Sequence, residues 1–246
     1  MRQEARLKAE IQQRVAFIQG VLREAGASGI VYGNSGGKDS ALVGILCKKA
    51  CDNTVGLIMP CGSKRNYETD RSDAETLAKQ FGIATRLVDL TDAKNAVVRA
   101  AGAETRLSAA AMANMAPRLR MTALYAVAAS ENALVAGTGN RSEGYMGYFT
   151  KWGDGAFDFN PIADLTVTEI YTLLRFLDAP ESIINKAPSA GLFDGQTDEG
   201  EMGVSYRSID DFLLHGVAGA SDKSVMDKFH KASEHKRTMP VVFAKP

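Results

Sequence analysis

Ser35-Gly36-Gly37-Lys38-Asp39-Ser40 gathers two adjacent glycines, two hydroxyls, one cation and one carboxylate into six positions. Such a set can hold a phosphate group. Backbone amides of a glycine-rich turn that opens a helix point at an anion, and the helix dipole adds a favourable field. The glycines permit positive φ and close backbone approach, and the serines add hydroxyl donors. The spacing is not that of the common Walker loop, because Tyr32 and Asp39 stand where that loop needs a Gly and a Ser or Thr. A carboxylate in a phosphate loop repels its ligand unless it serves a cation, so Asp39 is a candidate Mg²⁺ ligand.

These residues need a strand before them and a helix after them. Gly29-Ile30-Val31-Tyr32-Gly33 reads as the strand, and Ala41, Leu42, Val43, Ile45 and Leu46 mark the helix. Leu7, Ile11, Val15, Ile18 and Leu22 recur at steps of three or four, predicting an opening amphipathic helix. Strand-like runs at Gly29 to Gly33, Thr54 to Met59, Ile83 to Leu90 and Ala133 to Gly137 alternate with helical stretches. That alternation predicts an α/β fold, a Rossmann-like, doubly wound parallel sheet with helices on both faces. Ligands of such sheets bind beyond the carboxyl ends of the strands. The hexapeptide, Pro60-Cys61-Gly62 and Thr138-Gly139-Asn140 all fall there.

Pro117 places the start of the next helix near Ala116, with proline in its first turn. Residues 139–165 read as a long glycine-rich connection, too aromatic for disorder with Tyr145, Tyr148, Phe149, Trp152, Phe157 and Phe159. Thr166 with Glu169 predicts a capping box, and Pro180 a further short helix. Residues 187–205 read as a second polar loop before two closing helices near 207–216 and 222–235. The expectation is one domain over residues 1–246.

Lys and Arg total 29, and so do Asp and Glu. That balance argues against a nucleic-acid partner, and the absence of a long apolar run argues against a membrane span, so a cytoplasmic protein is expected. Cys47, Cys51 and Cys61 lack metal-site spacing and read as reduced packing residues.

The Ser-Gly-Gly-x-Asp-Ser pattern resembles the loop of the ATP pyrophosphatases, which split ATP between its α and β phosphates. Gly137-Thr138-Gly139-Asn140-Arg141-Ser142-Glu143 and Gly147-Tyr148-Phe149-Thr150-Lys151-Trp152-Gly153-Asp154-Gly155 then resemble the NAD synthetases of that superfamily. Asn114, Arg118, Arg120, Met121 and Tyr125 match a helix of the family. Pro188-Ser189-Ala190-Gly191-Leu192 with Gln196-Thr197-Asp198-Glu199 matches its late loop, and His235-Lys236-Arg237 with Pro240 its tail. The likeness runs from about residue 5 to 241.

The resemblance implies an adenine-nucleotide α-hydrolase-like fold and a two-step amidation of deamido-NAD⁺. Its carboxylate attacks the α-phosphate of ATP, and ammonia then displaces AMP from the acyl adenylate. The implied ATP contacts are Gly33, Asn34, Ser35, Gly36, Gly37, Lys38, Asp39, Ser40, Thr138 and Ser189, the last standing where the family usually has Thr. For deamido-NAD⁺ they are Asn114, Arg118, Tyr125, Lys151, Asp158, His235 and Lys236. Asp39 and Glu143 are the implied Mg²⁺ ligands and, with Lys151, the residues closest to the chemistry. A homodimer is implied, and use of ammonia, taken up directly or received from a separate protein, is expected because 246 residues leave no room for a glutaminase domain.

Two departures from the family stand out. Val167 occupies a position where many members carry a phosphate-binding Lys, and Lys38 one where such members often carry Gln. Lys38 is therefore expected to restore the phosphate charge missing at Val167. Ile58 replaces an Arg found in some members. Other ATP pyrophosphatases, acting on a purine or a tRNA base, and a non-catalytic nucleotide sensor are the competing readings. The first lacks its basic appendage or dimerisation domain here, and the second does not require Asp39 together with Glu143.

Overall fold

A computed structural model describes residues 2–62, 68–186 and 197–243. Its elements run α1 (Arg2–Ala25), β1 (Gly29–Gly33), α2 (Lys38–Ala50), β2 (Thr54–Ile58), α3 (Thr69–Phe81), β3 (Ala84–Leu87), α4 (Thr91–Glu104), α5 (Ala109–Ala113), α6 (Met115–Ser130) and β4 (Ala133–Ala136). There follow α7 (Arg141–Met146), α8 (Val167–Phe176), α9 (Glu181–Ile184), α10 (Asp198–Met202), α11 (Tyr206–His215), α12 (Ala220–Ala232) and α13 (Glu234–Arg237).

All described strand pairs are parallel, in the order β3-β2-β1-β4. Val31 lies opposite Val55 on one side and Val135 on the other. β1 and β2 are apolar and almost wholly buried, as a sheet covered on both faces requires. On one face α1, α2 and α8 enclose a core of Ile18, Ile30, Leu42, Ile45, Leu46, Ile170 and Leu173. On the other, α6 packs Met121 and Leu124 over Val31, Leu57 and Val135. A third cluster joins α7, α11 and α12 through Met146, Tyr206, Ile209 and Met226.

The chain leaves β1 toward β2 on one side and reaches β4 on the other. The crevice beyond the carboxyl ends of β1 and β4 is thus the switch point at which doubly wound sheets take ligands. Asn34–Gly37 and Thr138–Asn140 form its two lips.

The expected elements are present, with three differences: the short helix α10 lies within the loop expected over 187–205, and two others are of extent. The third strand is shorter than residues 83–90, because at this sheet edge all four of its residues face solvent. The connection over 139–165 contains α7, six residues too short to show apolar periodicity. A capping box holds it: Asn140 Oδ1 accepts from Glu143 N at 2.9 Å, and Glu143 Oε2 accepts from Asn140 N at 3.1 Å. Cys47 and Cys61 are buried thiols, and burial pushes both away from the thiolate form.

Candidate active site

The phosphate loop is built from backbone and hydroxyl contacts. Asn34 N donates to Leu57 O at 2.9 Å, and its side-chain amide donates to Ala74 O at 3.1 Å, fixing the loop to β2 and α3. Ser35 and Ser40 hydroxyls meet at 3.0 Å, and Ser40 Oγ also donates to Gly37 O at 3.0 Å. Gly36 has φ +69°, and a Cβ there would stand 2.2 Å from Asp70 O, so only glycine fits between the loop and the first turn of α3. Gly37 caps α2, a 13-residue helix whose N-terminus therefore faces the crevice.

Asp39 and Glu143 come together across this crevice through Asn140. The same amide that caps α7 donates from Nδ2 to Asp39 Oδ1 at 3.1 Å. Lys38 Nζ lies 2.8 Å from Asp39 Oδ2 and 5.4 Å from the centre of the Tyr206 ring. Burial penalises the Lys38 ammonium, but Asp39 and Glu143 outweigh it and hold the group above the ordinary lysine value. Burial, reinforced by Asp39, holds the Glu143 carboxyl well above the usual carboxylate range. The site is therefore a compact charge cluster that gains from a further cation.

The donors fit Mg²⁺. Asp39 and Glu143 offer hard carboxylate oxygens, and among the described residues no cluster of three or more His, Cys, Asp or Glu stands ready as a complete cage. Two such carboxylates can hold Mg²⁺ together with the phosphates of a bound nucleotide.

A cavity of about 560 Å³ opens in front of the loop, lined by Gly33, Asn34, Ser35, Gly37, Lys38, Asp39, Ser40, Thr138, Glu143, Asn114 and Lys236 among others. Gly36 lies behind this wall. The remaining expected substrate contacts form a second group at the surface. Arg118 Nε donates to Lys151 O at 3.3 Å, and the Lys151 ammonium donates to His235 O. Tyr125 OH donates to Asp158 Oδ1 at 3.1 Å, while Asp158 Oδ2 accepts from Val135 N at 2.7 Å, securing the loop to β4. Lys236 joins the two groups. Its ammonium donates to Gly147 O and Phe149 O, each at 2.8 Å, tying the C-terminal helix to the cavity wall, and burial holds the group below the ordinary lysine value. Ser189 and the rest of the late-loop motif up to Gln196 lie outside the described residues.

Position 167 explains itself. Val167 is buried in the third apolar cluster beside Met146 and Tyr206, an environment that disfavours a lysine. Tyr145 stacks on His230 at 4.3 Å between ring centres and also packs on Phe212, so it serves loop packing.

Several site residues were not anticipated. Asn140 had a readable signal, since Asn-x-x-Glu is a capping pattern. Asp154, which accepts from Thr150 N at 3.0 Å, and Arg120, which donates to Met59 O at 3.0 Å, line the buried end of the cavity. Lys186, Asp70 and Tyr171 also line it, and nothing local in the sequence marks them.

Loop, switch-point crevice and acidic pair together define a nucleotide-binding protein of the doubly wound α/β class. The model of the NAD synthase family matches residues 10–240, and the chain belongs to that family. The NH₃-dependent NAD⁺ synthetase of Carboxydothermus hydrogenoformans is 47% identical over 234 residues, covering 94% of this chain and 95% of that one. Among solved structures, an NMN synthetase from Francisella tularensis superposes with a TM-score of 0.91 at 37% identity, covering 96% and 98% of the two chains. An NH₃-dependent NAD synthetase from Campylobacter jejuni superposes at 0.78 with 30% identity, covering 97% and 99%.

Proposed function

We propose that this chain forms NAD⁺ from deamido-NAD⁺, ATP and ammonia, releasing AMP and pyrophosphate. The observation that carries the reading is the phosphate loop facing an Asn140-bridged pair of carboxylates in a chain of the NAD synthase family. A carboxylate is a poor acyl donor. In the first step its oxygen bonds to the α-phosphorus of ATP, the Pα–O bond to the β-phosphate breaks, and pyrophosphate leaves. In the second, ammonia nitrogen attacks the acyl carbon, the bond to AMP breaks, and a proton is lost.

Such displacement needs positioning and charge neutralisation more than a covalent nucleophile. Amides at the α2 N-terminus and the hydroxyls of Ser35 and Ser40 bind phosphate oxygens. Asp39 and Glu143 would hold Mg²⁺, which when bound neutralises phosphate charge and stabilises the departing pyrophosphate. Lys38 adds phosphate-directed charge that position 167 lacks. Lys151, His235 and Lys236 draw the tail over the second substrate and exclude water, which would otherwise waste the acyl adenylate. Arg118, Tyr125, Asn114 and Asp158 shape the dinucleotide side. Exposed Trp152 and Phe157 are apolar groups available for pairing with a second copy. No described helix is long and apolar enough to cross a membrane.

A second reading of the acceptor is favoured by one observation, the TM-score of 0.91 to an NMN synthetase against 0.78 to an NAD synthetase. On that reading the acid is nicotinate mononucleotide, with the same chemistry. Purified protein incubated with Mg·ATP, ammonium or glutamine, and each acceptor in turn decides both questions. The expected result is NAD⁺ and AMP from deamido-NAD⁺, with ammonium. A higher kcat/KM for the mononucleotide would transfer the assignment to it, and ADP formation would overturn the reaction class.

A further inference from the structure

Beside the phosphate loop lies a three-residue ion cluster that no motif marks, two of whose members, Lys186 and Asp70, also line the cavity. Lys186 Nζ is 2.7 Å from Asp70 Oδ1 and 2.8 Å from Asp73 Oδ2, with all three side chains largely buried. Both carboxylates belong to α3, whose first turn packs against Gly36. The backbone of Lys186 is anchored as well, since its carbonyl accepts from Tyr171 OH at 3.2 Å. The third partner of the ammonium is Gly36 O, at 3.4 Å.

That last contact bears on the anion site. In a trans peptide the C=O of one residue and the N–H of the next point in opposite directions. Gly36 O turned toward Lys186 therefore directs the Gly37 N–H the other way, toward Ser35 Oγ at 3.3 Å. Glycine at 36 imposes little preference of its own, so a turned-over Gly36–Gly37 peptide is accessible and would aim a carbonyl oxygen at the phosphate. The ammonium opposes that state through its attraction for the Gly36 carbonyl, and two carboxylates hold the ammonium in place.

We propose that Lys186 is a positioning residue that latches the Gly36–Gly37 peptide in its anion-receiving orientation, with Asp70 and Asp73 as its clamp. On this reading it acts on ATP through the loop. The inference rests on ATP being the nucleotide substrate.

Calorimetric binding of Mg·ATP and steady-state kinetics on Lys186→Met test it. A charge-assisted hydrogen bond lost from the loop is expected to weaken Mg·ATP binding by about tenfold or more and raise the ATP KM in parallel. The KM for deamido-NAD⁺ should stay within about twofold, a split that general loosening of the fold would not produce. Lys186→Arg, which keeps the charge, should recover most of the affinity. Lys186→Met leaves two carboxylates facing each other; should it not fold, the double variant Lys186→Met/Asp73→Asn removes one charge of each sign and should show the same split. Mg·ATP affinity unchanged in a folded variant, or equal losses for both substrates, overturns the latch. Failure of the unaltered protein to bind Mg·ATP would count against the functional reading instead.

Discussion

Asn140 and Asp39, 101 positions apart, are joined by a 3.1 Å hydrogen bond from Asn140 Nδ2 to Asp39 Oδ1. The Oδ1 atom of the same amide accepts from Glu143 N, so one side chain sets where both acidic groups stand. Asn140→Ala should raise the Mg²⁺ concentration for half-maximal activity by about 10–100-fold, the usual effect of removing a group that orients metal ligands. Loss of the helix cap should also cost about 1 kcal/mol of stability. Titrating NAD⁺ formation with Mg²⁺, and Mn²⁺ binding by paramagnetic resonance, measures the first effect; thermal unfolding measures the second. A metal dependence unmoved by the substitution would detach Asn140 from the metal site.

Lys38→Gln tests whether this chain moves its phosphate charge from position 167 to the loop. Lys38 sits in the cavity wall, and its neighbour Tyr206 belongs to the apolar cluster that holds Val167. Removing the ammonium takes away the proposed phosphate contact and also leaves Asp39 and Glu143 less neutralised. The ATP KM should rise by about one to two orders of magnitude. Unchanged ATP kinetics would sink the compensation idea.

What was legible in the sequence was local. The hexapeptide, its strand and its helix lie within about 22 residues, so composition and period reveal them together. Thr166 with Glu169 is three residues apart and forms the expected capping box. Asn140 with Glu143 has the same spacing, but glycines at 137, 139, 144 and 147 made the segment read as loop. Lys186 and Asp73 are separated by 113 positions, and only the packing of α3 beside the end of α9 brings them together. The tail cations were readable as a motif, whereas their partners are backbone carbonyls, which carry no side-chain signature.

Asp164 gives the fold an acid-sensitive joint. Arg14 of α1 donates to both of its carboxylate oxygens, at 2.7 and 2.9 Å, and this hydrogen bonding holds the Asp164 carboxyl below its ordinary value of 3.8 although the side chain is mostly exposed. A depressed carboxylate adds stability that is present above the ordinary value and is lost as pH falls through the folded value. Asp164→Asn should therefore lower stability at neutral pH and flatten the loss below about pH 3.8. Urea midpoints across the acid range check this; parallel acid limbs in the two proteins would remove Asp164 from the account.

Gly147→Ala addresses the tail. Gly147 has φ +66°, and an added Cβ would lie 2.0 Å from Ser233 Cβ, at the junction of α12 and α13. Ser233 Oγ in turn accepts from Arg237 at 2.7 Å, and Lys236 donates to Gly147 O, so the extra methyl strikes where the C-terminal helix docks. Left-handed backbone and overpacking act together, and a destabilisation of about 1–3 kcal/mol is expected. Because Gly147 also ends the short helix that carries Glu143, Mg·ATP affinity should fall less than dinucleotide affinity, whose KM should rise by about tenfold, one lost charge-assisted contact. Limited proteolysis should show earlier cleavage after residue 232. Accelerated cleavage with an unaltered dinucleotide KM would mean that the tail closes nothing that the substrate feels.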